Sequence, residues 1–354
     1  MRRAFGLPWW QIAGALVVVG LGFALEMSAA GQAVGDGVAL GIAVLADPIL
    51  SIVGLDLVRS GVELRSLAGG WAVRVSEVCD GMGLVVALVG AVVVLAQGQE
   101  RALVWGAKRL AIGIAAIQAF NLLRVVLLAG VLDRGGAGFG VLHDWVFPLL
   151  SLCVIAAALV TNSKENAGIM PRTLAVFVAI AVVLSVLWAP LAATVSAWLV
   201  PLANAALSAV APLGVGEIAP SQAAPNTWSV GTFFVAGTEP LRLFRAPLTP
   251  FHFTVALPAI VAASLVARRV VWLVIGVPMM LVALCVAACV AALGLAAAKA
   301  PITVVLPDAS GAFYIADYTR SEPLLASLRL VQNTLVHTLL LVFPVLALAG
   351  LRRQ

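Results

Sequence analysis

Four cysteines occur in this chain, and Cys79 alone lies outside an apolar run. Cys153, Cys285 and Cys289 fall within such runs, where a thiol behaves as a small hydrophobe. Cys285 and Cys289 are four residues apart on one helix face, yet their run holds no His, Asp or Glu to complete a set of ligands. No metal and no cofactor are expected. Cys79 stands in Ser76-Glu77-Val78-Cys79-Asp80-Gly81-Met82-Gly83, where a polar, strand-like segment meets a long apolar one. An exported cysteine with no exported partner is a candidate reactive thiol.

Arg124 lies within the apolar run 110–132, about 21 Å along a helix from its start. An arginine at membrane depth costs roughly 2.5–3.5 kcal/mol on insertion scales, so a partner or a task is expected for it. Asn121, three residues earlier, shares its helix face. The chain has three histidines, His143, His252 and His337. His143 and His252 stand at the outer mouths of apolar runs. His337 is about two residues into the last run and reads as an interior, hydrogen-bonded histidine. Asp144 can orient His143, though capping the helix that follows is its expected job. A thiol, a guanidinium and an imidazole thus converge at one depth. That set suits acyl transfer: a thiolate attacks a carbonyl carbon, a cation holds the oxyanion, and an imidazole moves the proton.

Helices in a membrane must position these groups. Of the 354 residues 63% are hydrophobic and 10% charged, which excludes a soluble globular domain. Apolar runs at 9–25, 82–96, 110–132, 145–161, 174–199, 251–267, 270–297 and 335–351 predict about eight crossings. Residues 28–30 are small, so the first run also fits a cleaved signal peptide. The run 38–53, broken by Asp47-Pro48, predicts an interfacial or re-entrant helix. A cytoplasmic N-terminus puts segments 1–8, 97–109, 162–173, 268–269 and 351–354 inside. These hold Arg2, Arg3, Arg101, Lys108, Arg109, Lys164, Arg172, Arg268, Arg269, Arg352 and Arg353 of the 21 basic residues. The asymmetry is that of the positive-inside rule and accounts for the net charge of +5 without a nucleic-acid partner.

On the outer side, residues 56–60, 62–67 and 71–76 read as short strands, the last with Trp71, Val73 and Val75 alternating with Ala72, Arg74 and Ser76. Residues 302–306 and 312–316 flank Pro307-Asp308-Ala309-Ser310-Gly311 and read as a hairpin. Residues 200–253 carry Pro, Gly, Asn and aromatic residues. The expected architecture is an all-α polytopic membrane protein with small extracytoplasmic β-hairpin segments. Residues 1–165 form the half with the chemistry, and 166–354 a second helical module with outer segments 200–253 and 298–334.

Glu77-Val78-Cys79-Asp80-Gly81, then Asn121-Leu122-Leu123-Arg124, then His143 resemble the exosortase/archaeosortase family over about residues 35–165. The resemblance implies a membrane-embedded cysteine protease/transpeptidase in the cytoplasmic (inner) membrane, with its active site on the extracytoplasmic side. It implies substrates that are exported proteins with a C-terminal sorting signal: a short Pro-Glu-Pro-like motif, a transmembrane helix and a basic tail. Cleavage would be coupled to transfer onto a membrane lipid or a glycan acceptor. By the match Cys79 is the nucleophile, Arg124 the transition-state stabiliser and His143 the general acid/base, with Glu77, Asp80, Gly81 and Asn121 in support. The residue after the cysteine is small or hydroxylated in that family and is Asp80 here. A carboxylate beside a thiol disfavours the thiolate, which gives Arg74 or Arg124 a neutralising role. The half after Lys164 has no counterpart in that family's core.

Three other readings stand beside it. A transporter would use Arg124 and Asn121 to line a path and would want more polar residues in the spans. A thiol-redox enzyme would want a second outer cysteine. A non-catalytic assembly protein of an envelope polysaccharide system would tolerate loss of Cys79.

Overall fold

The computed structural model describes residues 9–68, 70–75, 81–96, 101–160, 169–210, 217–220, 228–234, 242–248, 257–268, 270–297, 303–307, 313–317 and 322–338. The chain divides into two compact units. The first comprises Met1–Ala181, Ala259–Val274 and His337–Gln354; the second comprises Val182–Pro258 and Ile275–Val336.

In the first unit, α1 (Trp9–Glu26) and α2 (Ala29–Ile52) precede a small sheet of β1 (Leu57–Ser60), β2 (Glu63–Ser66) and β3 (Ala72–Arg74). There follow α3 (Met82–Ala96), α4 (Ala102–Asp133), a short α5 (Phe139–Val141), a π-helical turn (Leu142–Val146) and α6 (Phe147–Val160). The helices approach closely where the sequence supplies glycine. A Cβ at residue 22 of α1 would stand 2.6 Å from Val86 Cγ1 of α3, and one at residue 113 of α4 would strike Leu88 of α3. Without a hydrophobic drive between helices in lipid, such small residues let dispersion contacts hold the bundle. Leu103, Val104, Ile112, Ile114, Leu123 and Leu127 leave an exposed apolar surface on α4, as a lipid-facing helix requires.

The sheet is antiparallel in the order β1-β2-β3, with Arg59 opposite Leu64 and Leu64 opposite Val73. The period-two expectation holds here. Leu64, Ser66 and Val75 are buried, while Arg65, Ala72 and Arg74 are exposed. Ala39, Ala43, Ala46 and Leu50 of α2 meet Leu64 and Val75 of this layer and Val125 and Ala129 of α4 in one buried cluster.

Two helices run further than their hydropathy predicts. α2 begins at Ala29, nine positions before the apolar run 38–53, and continues unbroken through Pro48. Ser28 caps it, its Oγ accepting from Gly31 N at 3.2 Å. α4 begins at Ala102 rather than 110, because Lys108 and Arg109 interrupt hydropathy but not helix geometry. Arg109 is buried, and its Nη1 donates to Ala158 O at 3.1 Å. The guanidinium thereby satisfies a carbonyl of the last turn of α6, where a cation is favoured.

In the second unit, part of α7 (Ile169–Val210) leads to a three-stranded antiparallel sheet of β4 (Glu217–Pro220), β5 (Trp228–Phe234) and β6 (Arg242–Leu248). Asn204 of α7 brackets Ile218 of β4: its Nδ2 donates to the carbonyl at 2.8 Å and its Oδ1 accepts from the amide at 2.8 Å. Pro220 and Pro247 both sit on the outer strands of this sheet, where a missing N–H is tolerated. Residues 275–297 of α9 (Val271–Ala297), residues 322–336 of α10 (Glu322–His337) and the antiparallel pair β7 (Thr303–Pro307) and β8 (Phe313–Asp317) also belong to this unit, whereas residues 259–267 of α8 (Leu257–Ala267), the start of α9 and His337 belong to the first. That pair matches the expected hairpin over 302–316.

Among the described residues, three helical stretches are long and apolar enough to cross a membrane by length and composition: Ala29–Ile52, Ala102–Asp133 and Trp272–Val290. The described part of α3 is 15 residues, rising about 22 Å against a hydrocarbon core of roughly 30 Å. The last expected crossing, 335–351, lies outside the described residues beyond Thr338.

Candidate active site

Gly81 is the first described residue after the cysteine turn. Its φ is +76°, in the left-handed region that favours glycine, and its carbonyl accepts from Val85 N at 3.0 Å to open the α3 ladder. A Cβ here would collide with the Asn121 side-chain amide and come within 3.0 Å of Ile117 Cγ2. Glycine is therefore required twice, by the backbone and by the neighbour.

Asn121 of α4 is 1% exposed, and its Nδ2 has no hydrogen-bond acceptor among the described residues. Arg124, one turn along, is half-buried; its Nε is likewise enclosed without an acceptor among the described residues. Its Cζ lies 5.9 Å from the centre of the Phe147 ring, a cation–π contact. Phe147 in turn meets Phe120 edge-on, with centroids 5.9 Å apart at 67°. These donors face apolar surroundings, where an unmet hydrogen bond costs about 1–3 kcal/mol and calls for an explanation.

His143 sits on the π-helical turn, a local geometry found often at functional sites. Its ring stacks on Phe139 at 5.5 Å and 12°. Phe139 and Leu142 pack against the same cluster as Phe120 and Phe147. The guanidinium of Arg124 and the imidazole of His143 therefore hang on one aromatic cluster between α4 and α6.

The structure thus brings Gly81 against Asn121, and Arg124 and His143 onto shared aromatic neighbours. Cys79, Glu77, Asp80 and His252 lie outside the described residues, as does the side chain of Asp144. Cys153 on α6 and Cys285 and Cys289 on α9 are half-buried or buried within their helices.

One residue near the site is not expected from the sequence. His337, at the end of α10, places Nε2 2.6 Å from where a Cβ of Gly83 would stand. Its ring meets Phe23 of α1 with centroids 4.6 Å apart. Two features of the sequence point to it in retrospect. It is one of three histidines, and it enters its apolar run at the same end as the cysteine turn. No family model, curated protein or solved structure matches this chain.

Proposed function

We propose that this chain is a membrane-embedded cysteine transpeptidase of the exosortase/archaeosortase type. It cleaves a C-terminal sorting signal of exported proteins at the outer face of the cytoplasmic membrane and passes the acyl product to a lipid or glycan acceptor. Cys79 forms the acyl-enzyme. Arg124 and Asn121 hold the oxyanion, and His143 moves the proton to the leaving amine.

One observation carries the reading. Asn121 Nδ2 is a buried donor without an acceptor among the described residues, pressed against Gly81 two residues after the cysteine in sequence, with Arg124 Nε in the same condition one turn away. Two enclosed donors at a candidate nucleophile are what a developing oxyanion needs, since in a water-poor site each contributes strongly and needs no reorganisation. The resemblance in the three motifs supplies the substrate class. The Gly113 and Gly22 contacts support a rigid bundle that keeps α3 and α4 in register beneath the site.

The test follows a tail-signal protein on a gel in cells carrying Cys79→Ala, Arg124→Ala or His143→Ala. Each variant inserts in the membrane and leaves the precursor unprocessed. Normal processing by Cys79→Ala would remove the enzyme reading and favour the assembly-protein one.

A further inference from the structure

Gln118 stands on α4 one turn before Asn121, and the chemistry assigned above makes no use of it. It is half-buried, and its Oε1 is enclosed without a hydrogen-bond donor among the described residues. Gln118, Asn121 and Arg124 thus carry an acceptor, a donor and a second donor, each unmet among the described residues. Steps of three residues set them about 4.5 Å apart along the helix axis, on one slanting stripe. The stripe borders two packed faces of α4. Ile117 and Asn121 meet Gly81 of α3. Leu122 and Val125, one and two turns after Gln118, join the cluster with α2 and the first sheet.

The mixture of one acceptor and two donors selects a ligand. A phosphate or carboxylate takes both donors but sets its oxygens against Gln118 Oε1. An apolar group leaves all three unmet. A peptide backbone supplies both kinds, a carbonyl for the donors and an N–H for the acceptor. At membrane depth a peptide has N–H groups to spare only in the first turn of a helix. In the proposed orientation α4 runs outward, so Gln118 lies deeper than Asn121 and Arg124. A chain entering from outside, with its scissile carbonyl at those two donors, carries the N–H groups of its leaving side down towards Gln118.

We propose that Gln118 is a substrate-binding residue, which accepts a backbone N–H from the first turn of the transmembrane helix on the leaving side of the scissile bond. The inference rests on the transpeptidase reading and adds a register to it. An extended residue covers about 3.3–3.6 Å, so one or two residues fill the step of about 4.5 Å from Asn121 to Gln118. The bound N–H therefore belongs to the first or second residue after the cleaved bond. A signal whose helix begins further on leaves Gln118 unmet and is a poorer substrate.

The test uses the full-length protein and precursors in which each of the first four residues after the cleavage site is changed in turn to Pro. Proline is tolerated in the first turn of a helix and lacks only the N–H. With wild type, Pro at one of the first two positions slows processing about tenfold more than at the others, the worth of one hydrogen bond. Gln118→Met removes the acceptor at nearly constant size. It processes the unchanged precursor about tenfold more slowly, and the sensitive position becomes as tolerant as its neighbours. Its melting temperature in detergent is unchanged or raised. Equal losses at all four positions with wild type overturn the proposal, as does the same Pro pattern in Gln118→Met. A lowered melting temperature also overturns it, because the amide is then paired inside the protein. A second measurement needs no cleavage: uncleaved precursor is captured on the Cys79→Ala protein in detergent. Capture weakens with Gln118→Met and with the same Pro. Capture that is indifferent to Gln118→Met but displaced by phosphatidylglycerol assigns the stripe to a lipid headgroup and overturns the proposal. Normal processing by Cys79→Ala would instead sink the transpeptidase reading, and the capture experiment is read separately from it.

Discussion

As the proposed oxyanion donor, Asn121 sets stability against function. Its amide donor is unmet among the described residues, which destabilises the resting protein, and replacing it with an apolar group of similar shape relieves that cost. Asn121→Leu is therefore expected to leave the melting temperature in detergent unchanged or raised, while processing falls about 10²–10³-fold, the usual loss on removing one oxyanion donor. A joint loss of stability and processing would make Asn121 a structural residue. Gly81→Ala differs. It strains a backbone at φ +76° and drives a methyl into the Asn121 amide, so folded protein and processing are both expected to fall. Asn121, Arg124 and His143 are legible from the sequence because polar groups at membrane depth stand out against apolar runs. His337 is not, because depth alone files it with interior histidines. Its neighbours Phe23 and Gly83 lie on helices far away in the chain, and no local pattern announces them.

Between elements, contacts at glycine and at one buried leucine keep α2, α3, α4 and the first sheet in register. Leu64 is fully buried where the sheet meets α2 and α4, and Leu64→Ala is expected to cost about 2–5 kcal/mol, read as a lower melting temperature. Gly113→Leu puts a branched side chain where Leu88 already sits, so α3 and α4 separate and Gly81 loses Asn121. It is expected to lower processing more than protein level, measured side by side on one blot. The Arg59–Asp47 pair at 3.5 Å ties β1 to α2 at the surface and adds no more than about 1 kcal/mol. Strands β1–β3 are legible because their side chains alternate cleanly between a buried and an exposed face. Strands β4–β6 are not, because Pro220 and Pro247 carry a turn signal that only the outer position of those strands reconciles with a sheet. The start of α4 is illegible for a related reason. Hydropathy counts Arg109 as loop, whereas Ala158 O gives its charge a partner inside the bundle.

Over the whole molecule, the apolar composition points to a membrane, and among the described residues three helices have the length and composition to cross one. In the proposed orientation the basic residues hold the N-terminus in the cytoplasm and the start of α3, Arg124 and His143 face outward. A membrane-impermeant maleimide is accordingly expected to label Cys79 in intact cells; labelling only after lysis would invert the topology. The number of crossings is the least legible feature. The run 38–53, broken by Asp47-Pro48, reads as an interfacial or re-entrant helix, whereas α2 continues from Ala29 to Ile52 and is long and apolar enough to cross, with a buried face that also meets the sheet and α4. In the proposed reaction Cys79 carries the acyl group between substrate and acceptor. The most direct measurement isolates the protein from cells making a tail-signal substrate and examines the Cys79 peptide by mass spectrometry before and after hydroxylamine. The expected result is a peptide acyl group joined to Cys79 as a thioester and released by hydroxylamine. An unmodified Cys79 in cells that process the precursor normally would contradict it.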